Sequence, residues 1–389
     1  MSDETAGCDA ATAKARWDGR RSTAKTLRFG PRAASLAASS AVTRSTSERQ
    51  RGAVTVLVAV MLTVLMGFCA LAIDIAYALV VRNELQNAAD AAALAGAAHL
   101  RRTSAAPDWS AAAQAAEAVL GQNRSGAVTL DGADIQPGFW NLAGAQTELL
   151  PVSSTPGAED AAALQVTMRR DTGQNGGRLQ LFFANFLGIA SVPVSASAIA
   201  AVTAPAWIGS GVVFPLAVST CLYQAYWNSA AAAPGPKNDP ATGQPYVIRI
   251  GPDYTYAGTC APGTWSSFEN DANASATLRA LAVDRNANSL AVGAMIWTQP
   301  PGDDALFNLV DGCSARGDRS CETVIVPVVA YTGGHAQLAI TGFACLRIEL
   351  ASPGADRYVQ ATMRANCVAA AASGVGANYG AIATPRLAR

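Results

Sequence analysis

Six cysteines carry the clearest chemistry in this chain. Cys221, Cys260, Cys313, Cys321, Cys345 and Cys367 all lie in its C-terminal half. An even number of thiols in an exported domain forms disulfides, because nothing outside the cytosol keeps them reduced. Sequential pairing is expected, with Cys313–Cys321 the firmest pair because the two are nearest in sequence. Zinc is the rival use of cysteine. It fits poorly: no C-x-x-C spacing occurs, and His99 and His335 are the only histidines. Cys8 and Cys69 fall outside this group. Cys69 lies in an apolar run and reads as a small apolar residue, and the bulky Phe68 before it argues against lipid attachment.

The other reactive side chains do not assemble into a catalyst. A hydrolase needs a nucleophile, a histidine and an acid, but no G-x-S-x-G elbow occurs and His335 sits in a Gly333-Gly334-His335 turn. The absence of G-x-x-x-x-G-K-[ST] excludes a nucleotide-hydrolysing motor. Gly374 to Gly380 lacks dinucleotide-loop spacing and reads as a turn. Asp303-Asp304 and Glu269-Asn270-Asp271 lack the D-x-[DN]-x-[DN]-G spacing of a calcium loop and read as solvated turns. Arg316-Gly317-Asp318 lies between Cys313 and Cys321. A loop closed there has the constrained form that integrins recognise, although Gly-Asp is also an ordinary turn pair. It stands as a candidate adhesion loop. The expectation is a non-enzyme with no cofactor, no metal and no small-molecule substrate.

These cysteines must be positioned by a body hung from a membrane. From Ala53 to Ile73 there is neither a charge nor a proline, and a helix of that length matches the ~30 Å hydrocarbon core of a bilayer. The apolar run continues to Val81, too long for one bilayer, and its single charge is Asp74. Ending the span at Ile73 puts that carboxylate at headgroup level. Ending it at Val81 sinks the carboxylate about 12 Å, at a cost on the order of 2.5–3.5 kcal/mol if unpaired. The outer boundary is therefore placed near Asp74, between Arg51 and Arg82, and Ile75–Val81 must bury its apolar side against protein. A rival reading makes Asp74 a buried charge paired with a partner helix.

Residues 1–51 carry a net charge of +5 and residues 52–389 carry −5. The positive-inside rule puts the N-terminus in the cytoplasm and residues 75–389 across the membrane. Ala70-Leu71-Ala72 fits a signal-peptidase pattern. The apolar run is longer and later than a secretory signal, so a retained anchor is favoured over release. Charged residues make up 14% of the chain, against ~25% in average soluble proteins. Such a surface offers no basic field for nucleic acid, and the basic leader touches anionic lipid at most.

Beyond the span the helix continues through the Ala-rich Arg82–His99. Leu85, Ala88, Ala92 and Ala95 share one face, a docking surface for a neighbour or for the chain's own sheet. A second helix is expected over Ser110–Leu120, started by Asp108 or Ser110 and stopped by Gly121. Taken together, RGAVTVLVAVMLTVLMGFCALAIDIAYALVVRNELQNAADAAALAGA, residues 51–97, resembles the N-terminal module of TadG-like proteins of bacterial Tad (tight-adherence) or Flp pilus assembly systems. LQNAADAAALAGA, the Arg-Gly start and Asp74 carry it most strongly. LQLFFANFLGIASVPVSASAIAAV, residues 179–202, resembles the segment these proteins place after the anchor. The resemblance implies a membrane-anchored, largely periplasmic pilus accessory whose partners are other Tad components. Two departures matter. Pilins of these systems carry Glu at the fifth position after the processed Gly, where this chain has Leu57, so peptidase processing is not expected. The Asp-x-Ser-x-Ser loop of the von Willebrand A domain found in some TadG-like proteins is absent.

The rest reads as strands. Leu164, Val166 and Met168 alternate with polar residues, as do Val194, Ala196 and Ala198. Phe182, Phe183, Phe186 and Leu187 have helical spacing before Gly188 and are expected to hold a short helix on the sheet as core. Residues 203–212 read as a boundary. Strands are expected over Tyr246–Ile250, Ala291–Trp297, Thr323–Ala330, Gln337–Leu350 and Tyr358–Arg364, with Leu338, Ile340, Ala344, Leu346, Ile348 and Leu350 on one side. The fold class is α+β: one transmembrane helix with a helical extension, then a mainly β, disulfide-containing periplasmic region. Four segments result: a disordered basic leader over 1–50, the anchor module over 51–100, a helix-plus-β domain over 101–205 and a second β-rich region over 206–389. The expected function is a non-enzymatic accessory of Tad/Flp pilus assembly, single-pass in the bacterial inner membrane. The alternatives are a surface adhesin or matrix protein released after Ala72, and a cell-envelope enzyme with no recognisable site.

Overall fold

The computed structural model describes residues 47–388 apart from 102–105, 145–147, 158, 231, 272–273, 300–301, 370 and 375–376. Most of the basic leader and Cys8 lie outside the described residues. The chain divides into two units, one ending at Leu62 and one running Thr63–Arg389.

The described part of the first unit is helix alone. Helix α1 runs Ser47–Ala97, because the segment has no proline and is rich in Leu and Ala. It is long and apolar enough to cross a membrane. Its large side chains from Val54 to Phe68 are each more than half exposed, all round the helix. From Asp74 onward the helix becomes one-sided: Asp74, Val81, Leu85, Ala88, Ala89, Ala92, Ala93 and Ala97 are buried at helical spacing. Of Ile75–Val81, expected to bury its apolar side, Val81 is buried, while Ile75, Leu79 and Val80 stay exposed because only the face shared with Asp74 meets protein.

In the second unit that buried face packs on a five-stranded antiparallel sheet. Its strand order is Arg386–Leu387, Val194–Ala201, Asp160–Arg170, Asp134–Asn141 and Leu150–Pro151. The strand alternation places Leu164, Val166, Met168, Ala196, Ala198 and Ala200 in one core with Leu85, Ala88 and Ala92. Helix α2, Trp109–Ala118, adds Ala112 and Ala116 to that core. Its N-cap is Asp108, whose carboxylate accepts the Ala111 amide at 3.0 Å.

Small residues let these elements approach closely. A Cβ at Gly96 would collide with the Leu164 side chain and lie 2.8 Å from the Ala112 carbonyl oxygen. Gly96→Ala is therefore expected to destabilise the unit by ~1–3 kcal/mol through overpacking, against the ~1 kcal/mol that alanine gains in an open helix. Thermal unfolding checks the sign, and a stabilised variant would contradict the close packing.

The second sheet has seven strands. Its order is Val247–Ile250, Tyr358–Arg364, Gln337–Ser352, Met295–Gln299, Gly263–Phe268, Leu216–Ser219 and Thr323–Val329. Thr323–Val329 also pairs with Gln337–Ser352, so the last five strands close into a ring. Cores lie on both sides of this sheet. Val324, Val326 and Val328 enter one, and Ile325 and Val329 enter the other. The region read as β-rich also contains three helices: α3 Thr220–Tyr226, α4 Ser275–Asp284 and α5 Asp304–Cys313. They are too short for their apolar spacing to stand out from loops.

Three expectations need correction. Residues 203–212 are not a bare boundary, because Pro205–Ile208 is a strand paired with Leu290–Ala291 and Ala371–Ser373. A short buried run between proline and glycine looks like a linker in sequence. The strand over Gln337–Ser352 does not keep one apolar side. Irregular register near Ile340 and Leu350 breaks the alternation, so Leu338, Ile340 and Phe343 join one core while Ala344, Leu346 and Ile348 join the other. The expected run Ala291–Trp297 is split, with Leu290–Ala291 and Met295–Gln299 in different sheets. The chain finally returns to the first sheet, where Ile382 enters the α1 core and Arg386–Leu387 takes an edge.

Candidate functional site at the boundary of the apolar helix

The environment of α1 changes at Asp74, which is 2% exposed. Its carboxylate is paired with the chain's own backbone. Oδ1 accepts the Phe182 amide at 2.8 Å, and Oδ2 accepts those of Phe183 at 2.9 Å and Ala184 at 2.6 Å. A buried carboxylate needs such donors to keep its charge. The partner helix of the rival reading is thus replaced by the start of a 3-10 turn, Ala184–Leu187.

That turn tips a hairpin. Leu179–Gln180 pairs with Ser191–Val192, and residues 181–190 form the tip. Tyr77 packs against Phe182 with ring centroids 5.2 Å apart. The expectation of a Phe core is overturned: exposure is 60% at Phe182, 40% at Phe183, 87% at Phe186 and 73% at Leu187, and Ile189 is also exposed. Ala184 is the buried residue of the turn. Periodicity detected the turn but could not say which side faces protein, because the small Ala184 and the distant Asp74 decide it.

Farther along α1, polar stitches fasten the same face. The Ser125 hydroxyl donates to the Val81 carbonyl at 3.0 Å, and the Gly126 amide donates to Glu84 Oε2 at 2.6 Å. Arg170 is buried and donates from Nη1 to the Ser125 carbonyl at 3.2 Å. Gln86 Nε2 donates to Asp90 and to the Ser197 carbonyl. No sequence signal singled out these partners. Of the docking face read from sequence, Leu85, Ala88 and Ala92 pack in the chain's own core, and Ala95 is half-buried. Arg82 is exposed beside a cleft with Gln86, Glu148 and Thr167. Arg51 lies in the first turns of α1.

The distal cysteines are joined in sequence order: Cys221–Cys260, Cys313–Cys321 and Cys345–Cys367. Among the described residues Cys69 is free, and it is exposed on α1. In the Cys313–Cys321 loop Arg316-Gly317-Asp318 is exposed, and its charges bond to neighbouring groups of the chain. Arg316 pairs with Asp311 at 2.9 Å, and Asp318 accepts the Ser320 hydroxyl and amide at 2.7 and 2.9 Å. Arg319 of this loop and Arg347 donate to Glu322, just beyond the loop, at 2.6 and 2.7 Å. These bonds hold the Glu322 carboxyl down at about 2. A depressed acid stabilises the fold above its unfolded value near ~4.3, and loses that contribution as pH falls through about 2. Glu322→Gln is therefore expected to flatten acid unfolding in that window. An unchanged acid transition would show that the pair does not couple to folding.

His335 has no free ring nitrogen. Nδ1 lies 2.7 Å from the Thr298 carbonyl oxygen, Nε2 lies 2.9 Å from Asp271, and the ring stacks on Trp297. The adjoining cavity, about 290 Å³, has mostly apolar walls that include Leu216, Ile250, Trp265 and Phe307. Asp303 caps α5 and pairs with Arg279, while Asp304 pairs with Arg357 at 2.9 Å. Glu269 accepts from Asn288 at 2.8 Å.

Two family models match this chain. Residues 52–99 match Tad, described as Flp pilus-assembly TadE/G-like, and residues 95–200 match Tad_C, described as Tad-like Flp pilus-assembly. The resemblance read from residues 51–97 and 179–202 agrees with both. No curated protein and no solved structure matches the chain. The two matched segments together cover α1 from Gly52, α2 and the first sheet almost to the end of Val194–Ala201, but not its edge strand Arg386–Leu387.

Proposed function

We propose that this chain is a non-enzymatic, membrane-anchored accessory of a Tad/Flp-type pilus assembly system. It spans the bacterial inner membrane once, with its basic leader in the cytoplasm and its disulfide-bonded body in the periplasm. The observation that carries this reading is the change along α1: bare apolar side chains all round up to Phe68, then a single buried face from Asp74. A helix bare on every side needs lipid, and a helix buried on one face needs a folded body. The family matches over both parts point that combination toward pilus assembly, where its partners are other Tad components.

The charge difference across α1 supports the orientation. The three disulfides support an oxidising compartment. The occupied nitrogens of His335 support a scaffolding role over catalysis.

Deletion of the gene is expected to reduce surface pili, as counted by electron microscopy. Normal piliation in the deletion strain would refute the assembly role. N-terminal sequencing tests the anchor separately, since a mature chain beginning at Ile73 would replace it with a released protein.

A further inference from the structure

Where the uncharged run of α1 ends, a second apolar surface begins. The hairpin of residues 179–192 is rooted beside Val81 and Glu84, through Ser125, Gly126 and Arg170, which donates from Nε to the Gly177 carbonyl. Its tip is pinned to Asp74, two turns nearer the bare part of the helix. The hairpin therefore runs back along α1 toward the membrane-spanning stretch. We propose that its tip, residues 181–190, is a second membrane contact, in which Phe182, Phe183, Phe186, Leu187 and Ile189 seat in the interfacial zone of the leaflet that α1 leaves at Asp74. This rests on the anchor reading above.

Three observations converge on lipid as the occupant. The first is continuity. Leu71, Ile73 and Ile75 are exposed on α1 on either side of Asp74, which holds the exposed tip, so the patch continues the apolar surface of the proposed span. The second is composition, since so many large apolar side chains on one short turn are costly in water. The third is the backbone. Entry into a low-dielectric zone requires satisfied amides. Leu181 donates to the Ala190 carbonyl, Phe182, Phe183 and Ala184 donate to Asp74, Phe186 to Phe183, Gly188 to Asn185 and Ile189 to Ala184. Asp74 thus makes the tip fit to meet lipid while keeping its own charge out of the hydrocarbon.

The test uses the full chain, with Cys8→Ser and Cys69→Ser replacing the unpaired thiols, reconstituted into phosphatidylethanolamine/phosphatidylglycerol vesicles. An environment-sensitive fluorophore is attached at Leu187→Cys, at Phe68→Cys as the span control and at Ala241→Cys as the aqueous control. The expected result at residue 187 is blue-shifted emission, loss of iodide quenching and strong quenching by lipids carrying a nitroxide near the headgroup. That corresponds to a depth of ~5–10 Å. Residue 68 should respond to mid-chain nitroxides and residue 241 to iodide alone. A probe at 187 that behaves like 241 while 68 stays in lipid overturns the proposal and leaves the anchor standing. Iodide quenching at 68 overturns the anchor itself. A probe at 187 shielded from both quenchers, with cross-linking to another protein chain, replaces lipid by a protein partner. Adding Asp74→Ala should return residue 187 toward iodide, and no change there would remove Asp74 from the mechanism.

Discussion

Cys221→Ala combined with Cys260→Ala is expected to lower the stability of the distal region by ~4 kcal/mol, for a closed loop of 39 residues. That is a large part of the ~5–15 kcal/mol that holds a typical domain together, and it corresponds to a fall in Tm of roughly 10 °C. The tie matters here because of what it holds. α3, Thr220–Tyr226, has too few residues to persist alone, and Cys260 packs in the larger core beside Leu222 and Tyr223. The segment between the cysteines is rich in proline and glycine, and beyond α3 its longest regular element is the edge strand Val247–Ile250. The Cys313–Cys321 pair closes only 8 residues, and the same relation gives it ~2.5 kcal/mol. Near-ultraviolet circular dichroism during thermal unfolding of each double variant measures both. If the short loop costs as much as the long one, unfolded-chain entropy is not the governing effect.

Asp74→Ala is expected to free the hairpin tip without unfolding the body. Three amides lose one shared acceptor, while the α1 core of Leu85, Ala88, Leu164 and Val166 is untouched. Hydrogen exchange at Phe182, Phe183 and Ala184 should accelerate on the order of tenfold or more, with far smaller changes at residues 160–170. Asp74→Asn should fall between, because one oxygen still accepts but the new amide group turns donors toward donors. The substitution leaves the span more apolar, so insertion is not impaired. Lost piliation in a normally inserted Asp74→Ala protein would then trace to the tip. Unaltered exchange at residues 182–184 would show that the carboxylate does not hold the turn.

Much of the architecture was legible because its signals are local. The uncharged run Ala53–Ile73, the alternation of Leu164, Val166 and Met168, and the Asp108 start of α2 each depend on neighbours a few residues away. The strand Tyr358–Arg364 was readable for the same reason, and Thr323–Ala330 ends one residue earlier, at Val329. The Phe182–Leu187 cluster misled, because apolar spacing is the same whether a turn packs on a sheet or stays exposed. The short helices α3 to α5 and the strand Pro205–Ile208 escaped notice because each is held by partners distant in sequence.

By itself the sequence determined that a neutral, charge-poor chain has one apolar helix able to cross a membrane and six cysteines able to close loops beyond it. Those properties belong to composition and spacing along one strand of covalent bonds. Only the tertiary structure decided that Asp74 serves the backbone of residues 182–184, that Leu85, Ala88 and Ala92 face the chain's own sheet, and that the Phe side chains stay bare. A carboxylate's partner and a ring's exposure depend on what folding brings within a few ångströms, and here that is more than a hundred residues away along the chain.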